Sequence, residues 1–371
     1  MNKTITPYAL LLAFGLLIGC QHPEESNIKT IRADIENLQE VSIFDIFSHI
    51  EIIPLETTDN SLIRDICNVV SFRDKYFILD RWQTKVLIFR RDGTFLNKIS
   101  DRGQGAKEYL YISYFEVDTF RNILTLLDPI SQSMFEYDLY GNFLNRFRLP
   151  NIPRVYTAYR QLNKDTIVFW TLDESNRVKF YSRSENAIFQ EAYPEDRETL
   201  RERTRVVFWG NYLPRGNTVY RITEDAQVVE NHQWDFGHLN NTRKQIRRVE
   251  YINWRAYWPK LKNSELVNHV QMAHGGNSQF YYTRLLRRGK FIHVFHNRAT
   301  KENLVFNKTT EGIQFIPIAW YEDYVIGLHF EEWGTLDEFV PDAILDERNR
   351  EIKRGIDEFD NPILIKYHFR R

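Results

Sequence analysis

Two copies of one strand-turn-strand unit predict an all-β fold of the propeller class. The copies span residues 76–99 and 124–147, and they align without a gap at a spacing of 48 residues. A fixed period in the 40s is typical of four-stranded propeller blades. Aromatic residues make up 15% of the chain, which suits half-buried strands better than disorder. The sequence therefore predicts one six-bladed β-propeller over residues 42–371, with four-stranded antiparallel blades and short helical insertions; seven blades is the alternative.

The first twenty residues have the pattern of a lipoprotein signal peptide. Lys3 is followed by an apolar run over residues 9–18, which is shorter than the roughly 20 residues that span a bilayer and fits a signal peptide. The run ends in Leu-Ile-Gly-Cys, which resembles the bacterial lipobox, where the cysteine is acylated and becomes the new N-terminus. We expect residues 1–19 to be removed, Cys20 to be lipidated and residues 20–41 to form a tether. The alternative is an ordinary signal peptide with an incidental cysteine.

Acyl chains on Cys20 would anchor the protein to a membrane without spanning it. Gln21, rather than an Asp, follows the cysteine, and this resembles lipoproteins sorted to an outer membrane. The acidic pair Glu24-Glu25 resembles the surface-export signal of Bacteroidota lipoproteins. We therefore expect an outer-membrane lipoprotein that faces the periplasm or the cell surface.

Charge and cysteine content exclude several other classes of protein. Forty-nine basic and fifty acidic residues give a formal charge of −1, so no global basic field exists to attract nucleic acid. With Cys20 acylated, Cys67 has no cysteine with which to form an intramolecular disulfide. Cys67 lies in a strand-like apolar run, which predicts a buried and unreactive thiol.

Alternating apolar residues and turn residues define the strands of the first two blades. Asp92-Gly93 and Tyr140-Gly141 supply the positive φ that a tight hairpin between strands three and four requires. In blade one the innermost strand is expected at 63–70, followed by strands at 76–80, at 86–91 and up to 99. The innermost strand of blade two is expected at 112–118.

The later blades keep the period but diverge in sequence. An open sheet edge invites aggregation, so the ring must close, and the strand at 51–55 is expected to complete blade six beside 363–369. Ser42 is a candidate cap for a short helix over 42–49. Helical insertions are expected at 240–257 and 336–354. The remaining expected strands are 165–171, 178–182 and 187–191 in blade three; 218–223 and 227–235 as the outer strands of blade four; 266–272, 279–286, 290–296 and 303–307 in blade five; and 313–319 and 324–328 in blade six.

The loop between the first two blades carries a family resemblance. The pattern G-x-G-x-x-E-Y over residues 103–109, followed by I-x-x-F-x-V-D and F-x-Y-D-x-x-G-x-F, resembles an NHL-type propeller repeat. From Ile50 onward the chain resembles the six-bladed beta-propeller lipoprotein family of Bacteroidota, with support from residues 53–58, 102–105 and 360–364. Ala106-Lys107 stands where that family more often has Pro-Gly. The resemblance implies a six-bladed propeller on a lipid anchor.

Strand alternation assigns the face on which a ligand would bind. In a four-stranded antiparallel blade, the second-to-third connection and the blade-to-blade connection leave on the same side, which we call the loop face. The candidate binding residues there are Arg81, Trp82, Arg102, Gln104 and Glu108, because a Trp beside Arg and Gln suits stacking and bidentate hydrogen bonding to a sugar or peptide. The alternative is that Arg102 and Glu108 fix the loop between blades.

The sequence contains no established catalytic or metal-binding motif, and no cofactor is expected. His293 and His296 lie three apart in a predicted strand and point to opposite faces, so a metal site is not expected. Asp80 and Asp128 recur at equivalent positions, which favours turn hydrogen bonding. His274, in a predicted turn, is the catalytic candidate. We hypothesise a non-catalytic protein that binds a glycan, a peptide or an envelope protein; the alternative is a carbohydrate hydrolase or lyase at the channel mouth.

Overall fold

The fold consists of six four-stranded sheets arranged as the blades of a propeller. The computed structural model describes residues 29–172, 176–192, 209–240, 259 and 262–371, with only the backbone of residues 268–272. The predicted six-bladed, all-β architecture is confirmed. None of the helices formed by the described residues is long and apolar enough to cross a membrane.

The first three blades are each formed by four consecutive antiparallel strands. In the second and third strands of blade one, all but one residue are buried, because these strands are covered by a neighbouring blade on both faces. Blade one contains β3 (Ile66–Phe72), β4 (Lys75–Asp80), β5 (Lys85–Arg90) and β6 (Phe95–Ile99). Blade two contains β7 (Tyr114–Asp118), β8 (Ile123–Asp128), β9 (Ser133–Tyr137) and β10 (Phe143–Arg148), and blade three contains β11 (Tyr156–Gln161), β12 (Thr166–Thr171), β13 (Val178–Ser182) and β14 (Ala187–Ala192).

The last three blades include two strands from the N-terminal part of the chain. Blade four contains β15 (Tyr212–Arg215), β16 (Thr218–Ile222), β17 (Val228–Asp235) and β1 (Lys29–Arg32). Blade five contains β18 (Asn268–Gly276), β19 (Phe280–Arg287), β20 (Lys290–Asn297) and β21 (Asn303–Phe306). Blade six contains β22 (Pro317–Trp320), β23 (Tyr324–His329), β24 (Ile363–Phe369) and β2 (Phe47–Pro54).

The ring closes in blade six as the sequence predicts. Strand β2 pairs antiparallel with β24, and Pro54 lies opposite Ile363. The preceding helix α1 is shorter than expected and covers only Ile43–Ile46, because the chain enters β2 at Phe47. The predicted cap is confirmed, since the Ser42 side chain accepts a hydrogen bond from the Phe44 amide.

Blade four differs from the sequence-based expectation. The strands expected to be its outer pair, now β16 and β17, are the second and third, and β1 pairs parallel to β17 as the outermost strand. Residues 29–41, expected to be part of a tether, therefore lie on the propeller. The physical reason is that alternating Ile31, Ala33 and Ile35 are buried, and β1 covers an edge that would otherwise be open.

The expected helical insertions have different outcomes. The insertion expected at 240–257 lies outside the described residues. The insertion expected at 336–354 contains the 3₁₀ turns Leu336–Glu338 and Asp342–Ile344 and then helix α2, Glu347–Arg354. Pro341 interrupts a continuous helix because it lacks an amide donor, and Asp346 caps α2 by accepting from the Asn349 amide at 2.8 Å. Further 3₁₀ turns are Gly237–Leu239 and Glu331–Trp333.

The equivalent turn glycines Gly93 and Gly141 provide a test of how adjacent blades pack. Both have positive φ, +90° and +89°, but a Cβ on Gly93 would lie 1.9 Å from the Pro54 carbonyl oxygen, whereas on Gly141 the nearest atom is the Asn97 amide nitrogen at 3.1 Å. We expect Gly141→Ala to lower the free energy of unfolding by about 1 kcal/mol, the cost of left-handed backbone. Gly93→Ala should cost about 2 kcal/mol because blade six must also shift. Equal losses in urea unfolding would contradict this packing.

Two buried histidines make the fold sensitive to acid. Burial lowers the pKa of His232 and of His293 from 6.5 to about 3. The unfolded chain therefore binds these protons first, and stability that is complete above pH 6.5 is lost as the pH falls towards 3. We expect each histidine to cost about 2 kcal/mol at pH 5. Urea midpoints measured against pH should fall less steeply in His293→Gln than in the wild-type protein. An unaltered slope in this variant would contradict the assignment.

Candidate functional site

Two equivalent aspartates build the loop face. Asp80 accepts hydrogen bonds from the Gln83 amide at 2.9 Å and from the Arg64 amide at 2.7 Å. Asp128 accepts from the Ile130 amide at 2.9 Å and from the Leu110 amide at 2.8 Å. Each carboxylate thus joins the second-to-third turn of its blade to the incoming connection from the previous blade. The predicted turn role of these aspartates is confirmed, and so is the predicted sharing of one face by the two kinds of connection.

The loop between blades one and two is held by its own residues. The Glu108 carboxylate accepts a hydrogen bond from the Gly105 amide at 2.8 Å, and a Cβ on Gly103 would lie 2.0 Å from it. The buried Tyr109 hydroxyl donates to the Thr84 and Ile99 carbonyls at 2.9 and 3.2 Å. These contacts match the alternative interpretation, in which Glu108 fixes the loop.

The other predicted binding residues occupy different parts of this face. The side chains of Arg102 and Gln104 are exposed on the loop. Trp82 is 65% exposed, and the Arg64 guanidinium carbon lies 4.5 Å from the centre of its ring. Arg81 lies near Cys67, whose pKa is raised to about 12 chiefly by burial. The Cys67 thiol is therefore protonated at neutral pH, as expected of an unreactive cysteine, although it is half-buried and not fully buried as predicted.

A cavity of about 1020 Å³ opens on the loop face between blade one and the insertion of blade six. Its wall joins residues from the connection into blade one, from the Asp80 turn and from the β23–β24 connection, which is the second-to-third connection of blade six. The lining residues are Leu62, Ile63, Arg64, Gln83, His329, Phe330, Glu331, Glu332, Thr335, Leu336, Asp337, Lys353, Ile356, Asp357, Glu358, Asp360, Asn361, Pro362 and Ile363.

The sequence predicted a ligand site on the face where this cavity opens, but it did not identify most of the cavity wall. None of Arg81, Trp82, Arg102, Gln104 and Glu108 lines the cavity, although Trp82 stacks on the lining residue Arg64. The signal that could have identified the wall is the insertion itself. It replaces a short turn of the repeat on one face, and insertions of this kind often form the binding face of a repeat protein.

The charged residues that line the cavity are predominantly acidic. Among the described lining residues, six carboxylates face two permanently charged cations, Arg64 and Lys353. Lys353 is already paired with Asp337 and Asp342, and Arg64 stacks on Trp82. The local charge therefore favours a neutral or cationic ligand over an anionic one. The six carboxylates belong to Glu331, Glu332, Asp337, Asp357, Glu358 and Asp360.

A polar network links the inner strands. The Ser71 amide donates to the Tyr321 hydroxyl at 2.5 Å, and the Tyr324 hydroxyl donates to Ser71 Oγ at 3.0 Å. Glu116 of β7 is ion-paired with Arg160 of β11 and accepts from the Gln161 amide at 2.9 Å. Arg160 and the Gln161 amide thus hold the Glu116 carboxylate in place within this network.

His274 is not in a turn, contrary to the expectation. It lies within β18, and its Nε2 is 3.2 Å from the Gly216 carbonyl oxygen of blade four. The strand includes two glycines. Glycine is needed at position 275 because a Cβ there would lie 2.1 Å from the Trp320 ring. His293 and His296 contact different partners, Tyr282 and Asn303, as expected for opposite strand faces. In the part of the chain that the structure describes, no three His, Cys, Asp or Glu side chains are grouped to hold a metal ion.

The fold and the cavity define this chain as a six-bladed β-propeller with an acidic cavity on its loop face. It belongs to the family described as Domain of unknown function (DUF4934), whose model matches residues 26–368. No curated protein matches the chain in sequence. A solved structure of a "putative exported protein" from Bacteroides fragilis is 16% identical, with a TM-score of 0.75, and the match covers 92% of this chain and 100% of that one. A member of the duf4221 family from Bacteroides vulgatus is 9% identical, with a TM-score of 0.50 and coverage of 87% and 97%.

Proposed function

We propose that this protein is an exported, lipid-anchored β-propeller that binds a neutral or cationic glycan or peptide at the loop-face cavity without chemical conversion. The observation that carries this proposal is the cavity of about 1020 Å³ with its acidic lining. Its size suits a small molecule or the end of a longer chain. Exposed aromatic rings near its rim, Trp82 and Trp333, offer surfaces for stacking against a sugar or a cationic group.

Export and anchoring are supported by the N-terminal pattern that ends at Cys20. The fold neighbour from Bacteroides fragilis, which is described as exported, adds support from a similar architecture. The membrane partner is then the bilayer that holds the acyl chains, and an outer-membrane location follows from Gln21. Labelling of cells with an alkyne fatty acid should mark the wild-type protein and not Cys20→Ser, which should move to the soluble fraction. An unlabelled wild-type protein would contradict the anchor.

A binding role is favoured over catalysis by the state of the reactive groups. Cys67 is protonated because burial raises its pKa to about 12. Glu116 is paired with Arg160, and His274 contacts a backbone carbonyl. None of these three residues lines the loop-face cavity. The histidine that does line it, His329, has its Nε2 2.8 Å from the Gly334 carbonyl oxygen.

The test is a binding screen with variants of the wall. Purified protein is screened against glycans and peptides, and hits are measured by calorimetry. For a cationic hit, Glu331→Gln with Glu332→Gln should weaken binding about tenfold, because two facing carboxylates lose their charge. Glu224→Gln with Asp225→Asn, exposed in a turn of blade four, is the matched control.

A second variant tests the cavity itself for neutral ligands. Thr335→Trp adds a large side chain to the wall and should abolish binding while leaving the melting temperature unchanged. Binding that persists in this variant would contradict the location of the site. Release of a product from any bound ligand would contradict the non-catalytic role.

A further inference from the structure

We propose a second ligand site, on the rim between blades six and one, that binds a small molecule carrying a phosphate or sulfate group. A cavity of about 520 Å³ lies there, between the outer strand β2, the turn after β5 and the start of helix α2. It shares no lining residue with the loop-face cavity. We call it the rim cavity, and its lining residues are His49, Glu51, Ile52, Ile53, Pro54, Arg91, Asp92, Asp346, Arg348, Asn349, Ile352 and His368.

Two arginines give the rim cavity its specificity for an oxyanion. Arg91 comes from the turn of blade one and Arg348 from the first turn of α2, so they approach the cavity from different elements. Within the described part of the chain, neither guanidinium group makes a hydrogen bond or an ion pair. A guanidinium presents a planar set of donors that matches the oxygens of phosphate and sulfate. Two such groups at one cavity suit a group with more than one anionic oxygen.

A histidine pair lies in the same wall. His49 and His368 are opposite each other on β2 and β24, and their rings stack with centroids 4.0 Å apart and planes at 11°. His49 Nδ1 is 3.0 Å from Ser48 Oγ, and His368 Nε2 is 3.4 Å from the Glu51 carboxylate. Each ring has one further nitrogen, and an imidazole nitrogen that bears hydrogen can donate to an anion.

The carboxylates of this wall are already engaged with the protein. Glu51 lies 3.7 Å from the Lys366 ammonium and 3.4 Å from His368. Asp92 accepts from the Thr94 amide at 3.0 Å, within its own turn. Asp346 accepts from the Asn349 amide at 2.8 Å as the cap of α2. The charges of Arg91 and Arg348 also act on Glu51 and Asp346. The N–H donors of the two arginines nevertheless have no acceptor among the described residues and can donate to a ligand.

The size of the rim cavity indicates more than a bare ion. Its volume of about 520 Å³ lies within the range of small-molecule sites, and apolar Ile52, Ile53, Pro54 and Ile352 complete the wall. A ring or short chain attached to the anionic group would contact this apolar part. The structure therefore favours a phosphorylated or sulfated small molecule of about the size of a sugar.

Calorimetry on the intact protein near neutral pH tests this proposal. The probes are glucose 6-phosphate, glucose, inorganic phosphate and inorganic sulfate. Glucose 6-phosphate should bind and glucose should not. Arg91→Gln and Arg348→Gln should each weaken binding about tenfold, the effect of losing one charge-assisted contact. Arg148→Gln, on the exposed outer strand of blade two, is the matched control and should bind as the wild type does.

Comparison of the four probes shows which part of the ligand is recognised and tests the proposal. Inorganic phosphate or sulfate that binds as tightly as the sugar phosphate supports an oxyanion site without a role for the attached group. No heat of binding for any charged probe up to about 10 mM, or affinities unchanged in both arginine variants, would overturn the proposal. Equal binding of glucose and glucose 6-phosphate would also overturn it. Melting temperatures equal to that of the wild type show that the variants are folded.

Discussion

Asn361→Ala is expected to lower the free energy of unfolding by about 3 kcal/mol, because this side chain joins blade six to the entry of blade one. Its Oδ1 accepts from the Ile63 amide at 2.8 Å, and its Nδ2 donates to the Glu56 and Ser61 carbonyls at 2.8 and 2.9 Å. The side chain is buried, at 4% exposure. Alanine would leave the Ile63 amide and the Ser61 carbonyl unpaired, while the Glu56 carbonyl keeps a hydrogen bond from the Ser61 hydroxyl at 2.6 Å. Each buried unpaired group costs about 1–3 kcal/mol.

Urea unfolding monitored by tryptophan fluorescence measures this effect. Asn142→Ala is the control, because its amide donates to Asp138 only within an exposed turn. It should cost less than about 0.5 kcal/mol. A loss in Asn361→Ala no larger than that of the control would show that the joint between the first and last blades does not depend on this residue.

The regular part of the propeller is predictable because its signals are local and repeated. The turn glycines Gly93 and Gly141 and the aspartates Asp80 and Asp128 each recur at the blade period. Closure by β2 is predictable for a different reason, since an unclosed ring would leave sheet edges exposed. These signals require no knowledge of which distant segments meet.

The outermost strand of blade four could not be assigned from the sequence. Strand β1 has only four residues, and Lys29, Thr30 and Arg32 give it a polar composition. Its partner β17 is about two hundred residues away in the sequence, since Ile31 of β1 lies opposite Trp234 of β17. Intrinsic strand preference is weak at this length, so tertiary pairing decides the structure.

The face on which the loop-face cavity opens could be predicted from the sequence, but the blades between which it lies could not. Strand alternation correctly assigned the second-to-third turns to one side, but it does not distinguish blade one from blade six. The wall combines Arg64 and Gln83 with residues 329–337 and 353–363. These segments meet only because the first and last blades are neighbours in the closed ring, and no local motif records that contact.

Arg160→Met is expected to destabilise the protein by about 3 kcal/mol, because removal of this half-buried guanidinium leaves the buried Glu116 carboxylate uncompensated. Glu116 is 5% exposed and is paired with Arg160, whose own pKa is raised by that carboxylate. Glu116→Gln with Arg160→Met should recover most of the loss, since no buried charge remains. Arg148→Met is the exposed control.

The pH dependence of Arg160→Met identifies the carboxylate as the cause. Burial already raises the pKa of Glu116 above 4.5, and loss of the neighbouring guanidinium should raise it further. The native state of the variant then binds a proton more readily than the unfolded chain, so its deficit relative to wild type should shrink as the pH falls towards 4.5. A deficit that is constant with pH, or a double variant as unstable as the single one, would show that lost packing rather than the unpaired charge destabilises the inner strands.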